Sequence, residues 1–387
     1  MKIVHIAPCA PYNEGWSYQE NLLPKYQQKL GHEVTLIITN TMHQDGKKVL
    51  TDCCDKVLPD GVRLIRRPIR KSFFRYHIFP VGAPMVVYDL LLQIQPDYVF
   101  FHGLVSVTIR QVVKYKKVVN PNCIVVQDNH HDYNIGMSMV GLRNKLNRLF
   151  YRYLVNTTIN SVDRVYGVTP WRKQYAEEYF GVPKSKTDVL IMGADDDEMD
   201  FSHRADYRQS IREKYGVKED EFLVVSGGKL EDNKNIDLLM EACGTLNKVK
   251  LLLFGNVDKT IEKDFNSLLS KYSNIIYIGW IEAKYCYQYF YAADLVCFPG
   301  RHSVLWEQAC ASKVPCLIKR WDGMDHVDVG GNTLLLDNVT ADTLQKTIEE
   351  LCFTNEYNNM LAIAKSSRTD VFLYSKIASK SINDFSK

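Results

Sequence analysis

The strongest constraint on this chain is a rhythm that runs its whole length: a short apolar run, then a longer amphipathic stretch, then another apolar run. Runs of Val, Ile and Leu that are separated by helix-length segments cannot close as hairpins. They pair in parallel, with the intervening segments as crossover helices. Predicted strands are Lys2 to Ala7, Glu33 to Thr39, Val62 to Ile65, Asp97 to Phe101, Cys123 to Gln127, Asp163 to Val168 and Asp188 to Met192. The rhythm breaks at "GADDDEMDFSHR", which is polar and without apolar period, and reads as an interdomain linker. It then starts afresh at Phe222 to Ser226 and continues through Lys250 to Phe254, Asn274 to Ile278, Asp294 to Phe298, Pro315 to Ile318 and Thr333 to Leu336. The fold class expected is α/β: two doubly wound domains facing a central cleft at the carboxyl ends of their strands, where open parallel sheets bind ligands.

A chain of 387 residues with 46% hydrophobic residues has enough material for two such cores. A net charge of +3, with no basic reading module, argues against nucleic acid as a partner. The opening run, Met1 to Ala7, closes at Pro8 and lacks the pattern of a secretory leader. No apolar run approaches the roughly 20 residues that span a bilayer. The ten cysteines are scattered and form no C-x-x-C pair, so reduced thiols in a cytoplasmic protein are expected.

Chemistry is expected where strands meet helices. In "VVSGGKLEDNKNIDLLMEAC" a strand runs into Gly227 and Gly228, and Lys229 and Lys234 flank the loop before the next helix. Glycine lets a ligand approach the backbone, and two ammonium groups favour a diphosphate; the same loop also suits an ordinary surface turn. Gly15 lies in the first such junction, which has no G-x-G-x-x-G and so disfavours a nicotinamide dinucleotide. In "RHSVLWEQACASKVPCLI", Glu307 stands at the head of a short helix, as a capping acid or as a ligand-binding carboxylate. "IVVQDNHHDYN" ends a strand in His130, His131 and Asp132; adjacent histidines on extended chain diverge, so one metal cannot easily take both. Asp195, Asp196 and Asp197 sit in the linker and not at the end of a core strand, which disfavours a metal role for them as well.

In order and spacing, "GGKLEDNKNIDLLMEA", "VKLLLFGN", "NIIYIGWIEAKYCYQYFYAADLVCFPG" and "SVLWEQACASKVPCLI" resemble the nucleotide-sugar half of family 4 glycosyltransferases, retaining enzymes of the GT-B fold. "MKIVHIAP", "LGHEVTLIIT", "PDYVFFHG" and "VDRVYGVTPWRKQYAEEYFGVP" resemble the other half more loosely. The resemblance implies Rossmann-like domains at 1–192 (acceptor side) and 193–365 (nucleotide-sugar side), with 366–387 as a C-terminal helix returning to the first. It implies that Glu307 accepts the donor ribose hydroxyls and that Lys229 and Lys234 neutralise the diphosphate in place of a metal, so no cofactor is expected. The family's second acid, eight residues before Glu307, is here Pro299. Arg301, His302 and Ser303 are the candidates for the phosphate and sugar contacts of that loop. A functional histidine is implied near 130, with His131 preferred because it directly precedes Asp132.

The activity implied is transfer of a hexosyl group from a nucleoside-diphosphate sugar, UDP by family frequency, to a glycan or lipid-linked saccharide acceptor in surface polysaccharide or glycoconjugate synthesis. A nucleotide-sugar epimerase of related architecture and a non-catalytic sugar-nucleotide-binding protein are the alternatives. "RLIRRPIRKSFFRYHIF" and "LRNKLNRLFYRYLV" mix basic and aromatic residues. They suit peripheral contact with an anionic membrane or a diphosphate-linked lipid, and equally suit a solvated helix packing its apolar face on its own domain.

Overall fold

The computed structural model describes residues 1–44, 47–68, 85–133 and 141–385. Much of the basic stretch that begins at Arg63, including Arg70, Lys71 and Arg75, lies outside them. The chain divides into two compact units, Met1–Ile191 with Ile377–Lys387, and Met192–Lys376.

The strands of the first unit are β1 (Lys2–Ala7), β2 (Glu33–Thr39), β3 (Thr41–Gln44), β4 (Lys47–Leu50), β5 (Asp55–Val57), β6 (Arg63–Arg67), β7 (Tyr98–Phe101), β8 (Ile124–Asn129), β9 (Arg164–Gly167) and β10 (Thr187–Val189). Among the described residues, eight of them form one sheet in the order β10-β9-β8-β7-β1-β2-β6-β5. Every pairing in it is parallel except β5 on β6. Its helices are α1 (Gln19–Lys29), α2 (Tyr88–Ile94), α3 (Ile109–Val118), α4 (Leu142–Thr158) and α5 (Pro170–Tyr175). Central strands such as β1 are buried from their second residue on, as both faces of a parallel sheet are covered. Val4, Ile6, Ile37, Val99, Val125 and Val165 share one core with Val112 and Leu154 from the helices. Burying each such side chain stabilises the unit by about 1.5–3 kcal/mol before conformational entropy is subtracted.

The second unit holds β11 (Phe222–Gly227), β12 (Val249–Phe254), β13 (Ile275–Tyr277), β14 (Leu295–Phe298), β15 (Cys316–Lys319) and β16 (Thr333–Leu336), in the order β13-β12-β11-β14-β15-β16. All of these pairings are parallel. Its helices are α6 (Arg204–Lys214), α7 (Ile236–Gly244), α8 (Glu262–Lys271), α9 (Cys286–Ala292), α10 (Leu305–Ala311), α11 (Ala341–Leu351) and α12 (Asn355–Lys365). The last helix, α13 (Tyr374–Asn383), begins in the second unit and ends in the first.

Two features differ from the sequence reading. The acidic stretch after Gly193 is bonded into the second unit and is not a free linker: Ala194 N donates to Phe372 O at 2.8 Å, Tyr374 N to Ala194 O at 3.0 Å, and Asp195 N to Tyr287 Oη at 3.0 Å. The chain re-enters the first unit at Ile377, not at 366; Lys313 Nζ donates to Ser366 O at 2.9 Å and keeps that segment with the second unit. Beyond Ile377, Ser381 ties α13 to the first unit, where it meets the side chains of Gln27 and Tyr98.

In each sheet the strand order reverses once near the middle, between β1 and β7 and between β11 and β14. Loops leaving strands at such a point diverge to opposite sides and leave a crevice, the usual ligand site of open α/β sheets. Residues 8–18 and 102–108 leave the first reversal, and 228–235 and 299–304 the second.

Candidate functional site

In the second unit the two loops at the reversal are knitted together. Arg301 N donates to Asn233 O at 2.9 Å, Asn235 Nδ2 to Pro299 O at 2.9 Å, and Lys234 Nζ to Arg301 O at 2.7 Å and His302 O at 3.4 Å. This contact needs Gly300, where a Cβ would lie 2.4 Å from Asn233 O. Gly228 has φ +110°, and its carbonyl oxygen would sit 1.7 Å from a Cβ on Gly255, so a residue not singled out in the sequence is required for the glycine turn to form. Burial lowers the Lys234 ammonium to about 8, with Arg301 and Lys229 acting in the same direction and Glu231 opposing. Lys229 is exposed and paired with Glu231 at 2.8 Å.

Glu307, in the first turn of α10, is fully buried. His302 Nε2 and His326 Nε2 each lie 2.8 Å from its Oε1, while Oε2 is buried with no hydrogen-bond partner. Burial alone would raise this carboxyl; His302 and His326 outweigh it and hold Glu307 well below the usual carboxylate range. The group is therefore an ionised acceptor with one oxygen hydrogen-bonded and the other buried without a partner. Such an arrangement is costly to leave unmet and suited to donors supplied by a ligand. His302, expected to touch a sugar ring, instead turns inward to Glu307. His326 was not anticipated; it comes from the short 3-10 turn Asp325–Val327 after β15. Ser303 accepts from Trp306 N at 3.0 Å, which starts α10.

In the first unit a buried chain of hydrogen bonds starts from the strand ends. Asp128, next to last in β8, accepts from Gly103 N at 2.7 Å and lies 2.8 Å from His102 Nδ1 and 3.3 Å from His130 Nε2. His102 Nε2 meets His5 Nδ1 at 3.1 Å, His5 Nε2 meets Gln27 Oε1 at 2.6 Å, and Gln27 Nε2 donates to Ser381 Oγ at 2.9 Å. The Ser381 hydroxyl itself donates to Ala378 O at 2.7 Å. This last bond sets the direction of the rest: Gln27 must give its amide N–H to Ser381 and take the His5 Nε2 proton on its oxygen. Burial pushes His5 down to about 3, with His102 adding to the effect. A neutral His5 accepts on Nδ1 from His102 Nε2. Burial would raise Asp128, but His102 and His130 outweigh it and hold it far below its ordinary range.

His130 and His131 meet different neighbours: His130 Nε2 lies 3.3 Å from Asp128, and the His131 ring centre is 6.4 Å from that of Phe180. Burial would lower His130, but Asp128 outweighs it and raises it; burial lowers His131, whose Nδ1 is buried with no hydrogen-bond partner. Asp132 is buried against Arg172 Nε at 3.2 Å. Gly15 lies in its loop at φ +76° with open space around it. His5, His102 and Asp128 were missed; the one local signal was His102, directly after β7 at the reversal in "PDYVFFHG", whereas His5 lies inside β1 and Asp128 in β8, one strand further out.

Among the described residues, two triads bring one ligand atom from each member within 4.8 Å of one another: Glu20, His102 and His130, and His302, Glu307 and His326. Imidazole with carboxylate is a donor set for zinc or iron, but the 2.8 Å separations in the second triad are those of hydrogen bonds.

Known proteins agree with this architecture. A processive diacylglycerol alpha-glucosyltransferase from Acholeplasma laidlawii is 24% identical over 229 residues, 56% of this chain, and the chain spans 66% of that enzyme's length. Sucrose-phosphate synthase from Thermosynechococcus elongatus aligns at a TM-score of 0.69 with 17% identity, covering 99% of this chain and 98% of its own. HepE from Anabaena, solved in complex with UDP, aligns at a TM-score of 0.69 with 15% identity over 99% of both chains. The fold is thus GT-B, with two Rossmann-like units. The family described as Glycosyltransferase Family 4 matches residues 22–198, and Glycosyl transferases group 1 matches 207–367. Between them the two matches take in most of both units in chain order, and this chain belongs to the glycosyltransferases they describe.

Proposed function

We propose that the chain transfers a hexosyl group from a nucleoside-diphosphate sugar, with UDP as the nucleotide, to a glycan or lipid-linked saccharide, with retention of anomeric configuration. The observation that carries this is the buried, ionised Glu307, whose Oε2 has no hydrogen-bond partner, at the reversal of the second unit's sheet. A carboxylate oxygen accepts the ribose hydroxyls, and Lys229, Lys234 and Arg301 surround the diphosphate at the adjoining loops. UDP is supported by its presence in the HepE complex, and a lipid-borne acceptor by the name of the Acholeplasma relative. An acceptor on lipid would bring the enzyme to the cytoplasmic surface of a membrane in surface glycoconjugate synthesis.

In the first unit the group we assign to the reacting centre is His130. Its support is the contact with Asp128, itself fixed by Gly103 N and His102, together with a third of its side chain left open. The preference for His131 rested on adjacency to Asp132, and Asp132 is engaged by Arg172. No metal takes part in this reading, since the basic loop supplies the charge that the leaving diphosphate needs.

Thermal shift with UDP, GDP and ADP tests the donor class. A nucleotide at 100 times its Kd stabilises by about 2.7 kcal/mol. A shift with UDP alone agrees with the proposal; none with any nucleoside diphosphate overturns it. NMR of the product formed with UDP-glucose reads the anomeric outcome.

A further inference from the structure

On α4 the face formed by Asn147, Tyr151, Leu154, Val155 and Thr158 is buried in the first unit. At 3.6 residues per turn the opposite side carries Leu142, Leu146, Leu149 and Tyr153, spaced four, three and four residues apart. These four are 76%, 54%, 65% and 59% exposed. The helix therefore has two apolar faces, and among the described residues only one of them is packed. A solvated helix would show polar residues on that side, so the packing of α4 against its own unit does not account for the leucines.

The two helices of this face carry charge of one sign, while the exposed Glu178 lies beside Arg148 and Arg152 at the edge of α4. Neither α3 nor α4 contains an acid. Arg143 and Lys145 are exposed beside Leu142 and Leu146, and Arg110, Lys114 and Lys117 form an exposed line of their own on α3, again at spacings of four and three. Between that line and Tyr153 lies an open groove of about 470 Å³, floored by Val113 and Thr158. The Arg110 guanidinium sits 5.8 Å from the Tyr153 ring centre. Apolar side chains able to enter the acyl boundary, next to cations at headgroup depth, are what an interfacial helix presents to an anionic bilayer.

We propose that the α3–α4 face of the first unit docks on an anionic membrane, with Leu142, Leu146, Leu149 and Tyr153 inserted and the groove beside Lys114 and Lys117 taking a lipid phosphate. Among the described residues no helix is long and apolar enough to cross a membrane, so this contact lies on the bilayer and does not span it. The purpose of the contact rests on the reading of a lipid-borne acceptor; the contact itself does not.

The test is co-sedimentation of the full chain with vesicles of phosphatidylcholine alone and with one third phosphatidylglycerol. Binding is expected only to the anionic vesicles, reduced by salt through screening. Leu146→Gln with Leu149→Gln should weaken it about tenfold or more even at low salt, because insertion is lost. Lys114→Gln with Lys117→Gln should weaken it mainly at low salt. All these positions are exposed, and an unchanged melting temperature and circular dichroism spectrum in each variant show that the first unit, which carries them, is still folded. Equal binding by wild type and the leucine variant overturns the proposal, as does no binding to anionic vesicles. A wild-type dimer that the leucine variant dissociates, without vesicle binding, assigns the face to a second copy and also overturns it. Vesicle binding without any nucleotide response would instead sink the glycosyl-transfer reading and leave this face standing.

Discussion

His326 Nε2 meets Glu307 at 2.8 Å on Oε1, the oxygen that His302 also uses, so both histidines hold one oxygen of the carboxylate while the other, Oε2, is buried without a hydrogen-bond partner. Glu307→Gln keeps the volume and one acceptor but loses the charge and the second acceptor. It is expected to weaken UDP binding about tenfold, or about 1.4 kcal/mol, with a modest fall in Tm. Glu307→Ala leaves two buried imidazoles without their acceptor and should cost a further 1–3 kcal/mol or so of stability. Calorimetric titration with UDP beside thermal unfolding separates the two effects. Undiminished affinity in a destabilised Glu307→Gln protein would make the residue a structural acid only.

Lys234 gives a pH dependence with a defined sign. Its ammonium, lowered to about 8 by burial, is charged below that pH and loses its proton above it. Affinity for a nucleoside diphosphate should be full below about pH 8 and decline as the pH rises to 9. Lys234→Arg, which stays charged, should remove the decline. Stability moves the other way. Between about pH 8 and the ordinary lysine value near 10.4 the unfolded chain binds more protons, so wild type gains stability relative to Lys234→Met as pH rises.

His5 sets a second window. Its pKa falls from about 6.5 when unfolded to about 3 when buried, so the unfolded chain takes up the extra proton between those values. Stability is full above about pH 6.5 and is lost as the pH falls towards 3. Chemical unfolding between pH 7 and 4.5 should show this slope in wild type and a flatter one in His5→Gln. Equal slopes would mean that His5 is not held neutral.

Replacing His130 by Ala should lower kcat by about two orders of magnitude with little change in the Kd for donor, and His131→Ala should be mild. The reverse ranking would return the role to the residue beside Asp132. Large losses of donor binding in both would point to a structural role for the pair.

Dialysis against EDTA should leave turnover unchanged, because cations of the basic loop are proposed to stand where other enzymes use a metal. Activity lost to EDTA and restored by zinc or manganese would show that turnover needs an ion, for which the two histidine–carboxylate triads are the candidates among the described residues.

The parallel strands were legible because their burial on both faces writes continuous Val, Ile and Leu runs; β1 and β2 fall where those runs do. The β3–β4 hairpin and β5 were not, since TMHQ, KKVL and DKV are mostly exposed and carry neither an apolar run nor a clean alternation. Glu307 and Lys234 could be found because each lies beside a junction whose spacing is local. His102 and Asp128 are 26 residues apart and meet only because β7 and β8 pair with Phe101 opposite Gln127, which brings the next residues side by side. Register between strands is a tertiary fact, and no local pattern displays it. His326 reaches Glu307 across 19 residues for the same kind of reason.

The serine that ends the histidine chain in the first unit is Ser381, on the far side of the whole of Met192–Lys376. During synthesis, then, the amide of Gln27 and the hydroxyl of Tyr98 must wait for their partners until the second unit has been made. The second unit is contiguous and has every strand of its sheet before the last helix arrives. Ribosomal order therefore favours the nucleotide half maturing first, with the half that begins the chain sealed only by residues that come at its end.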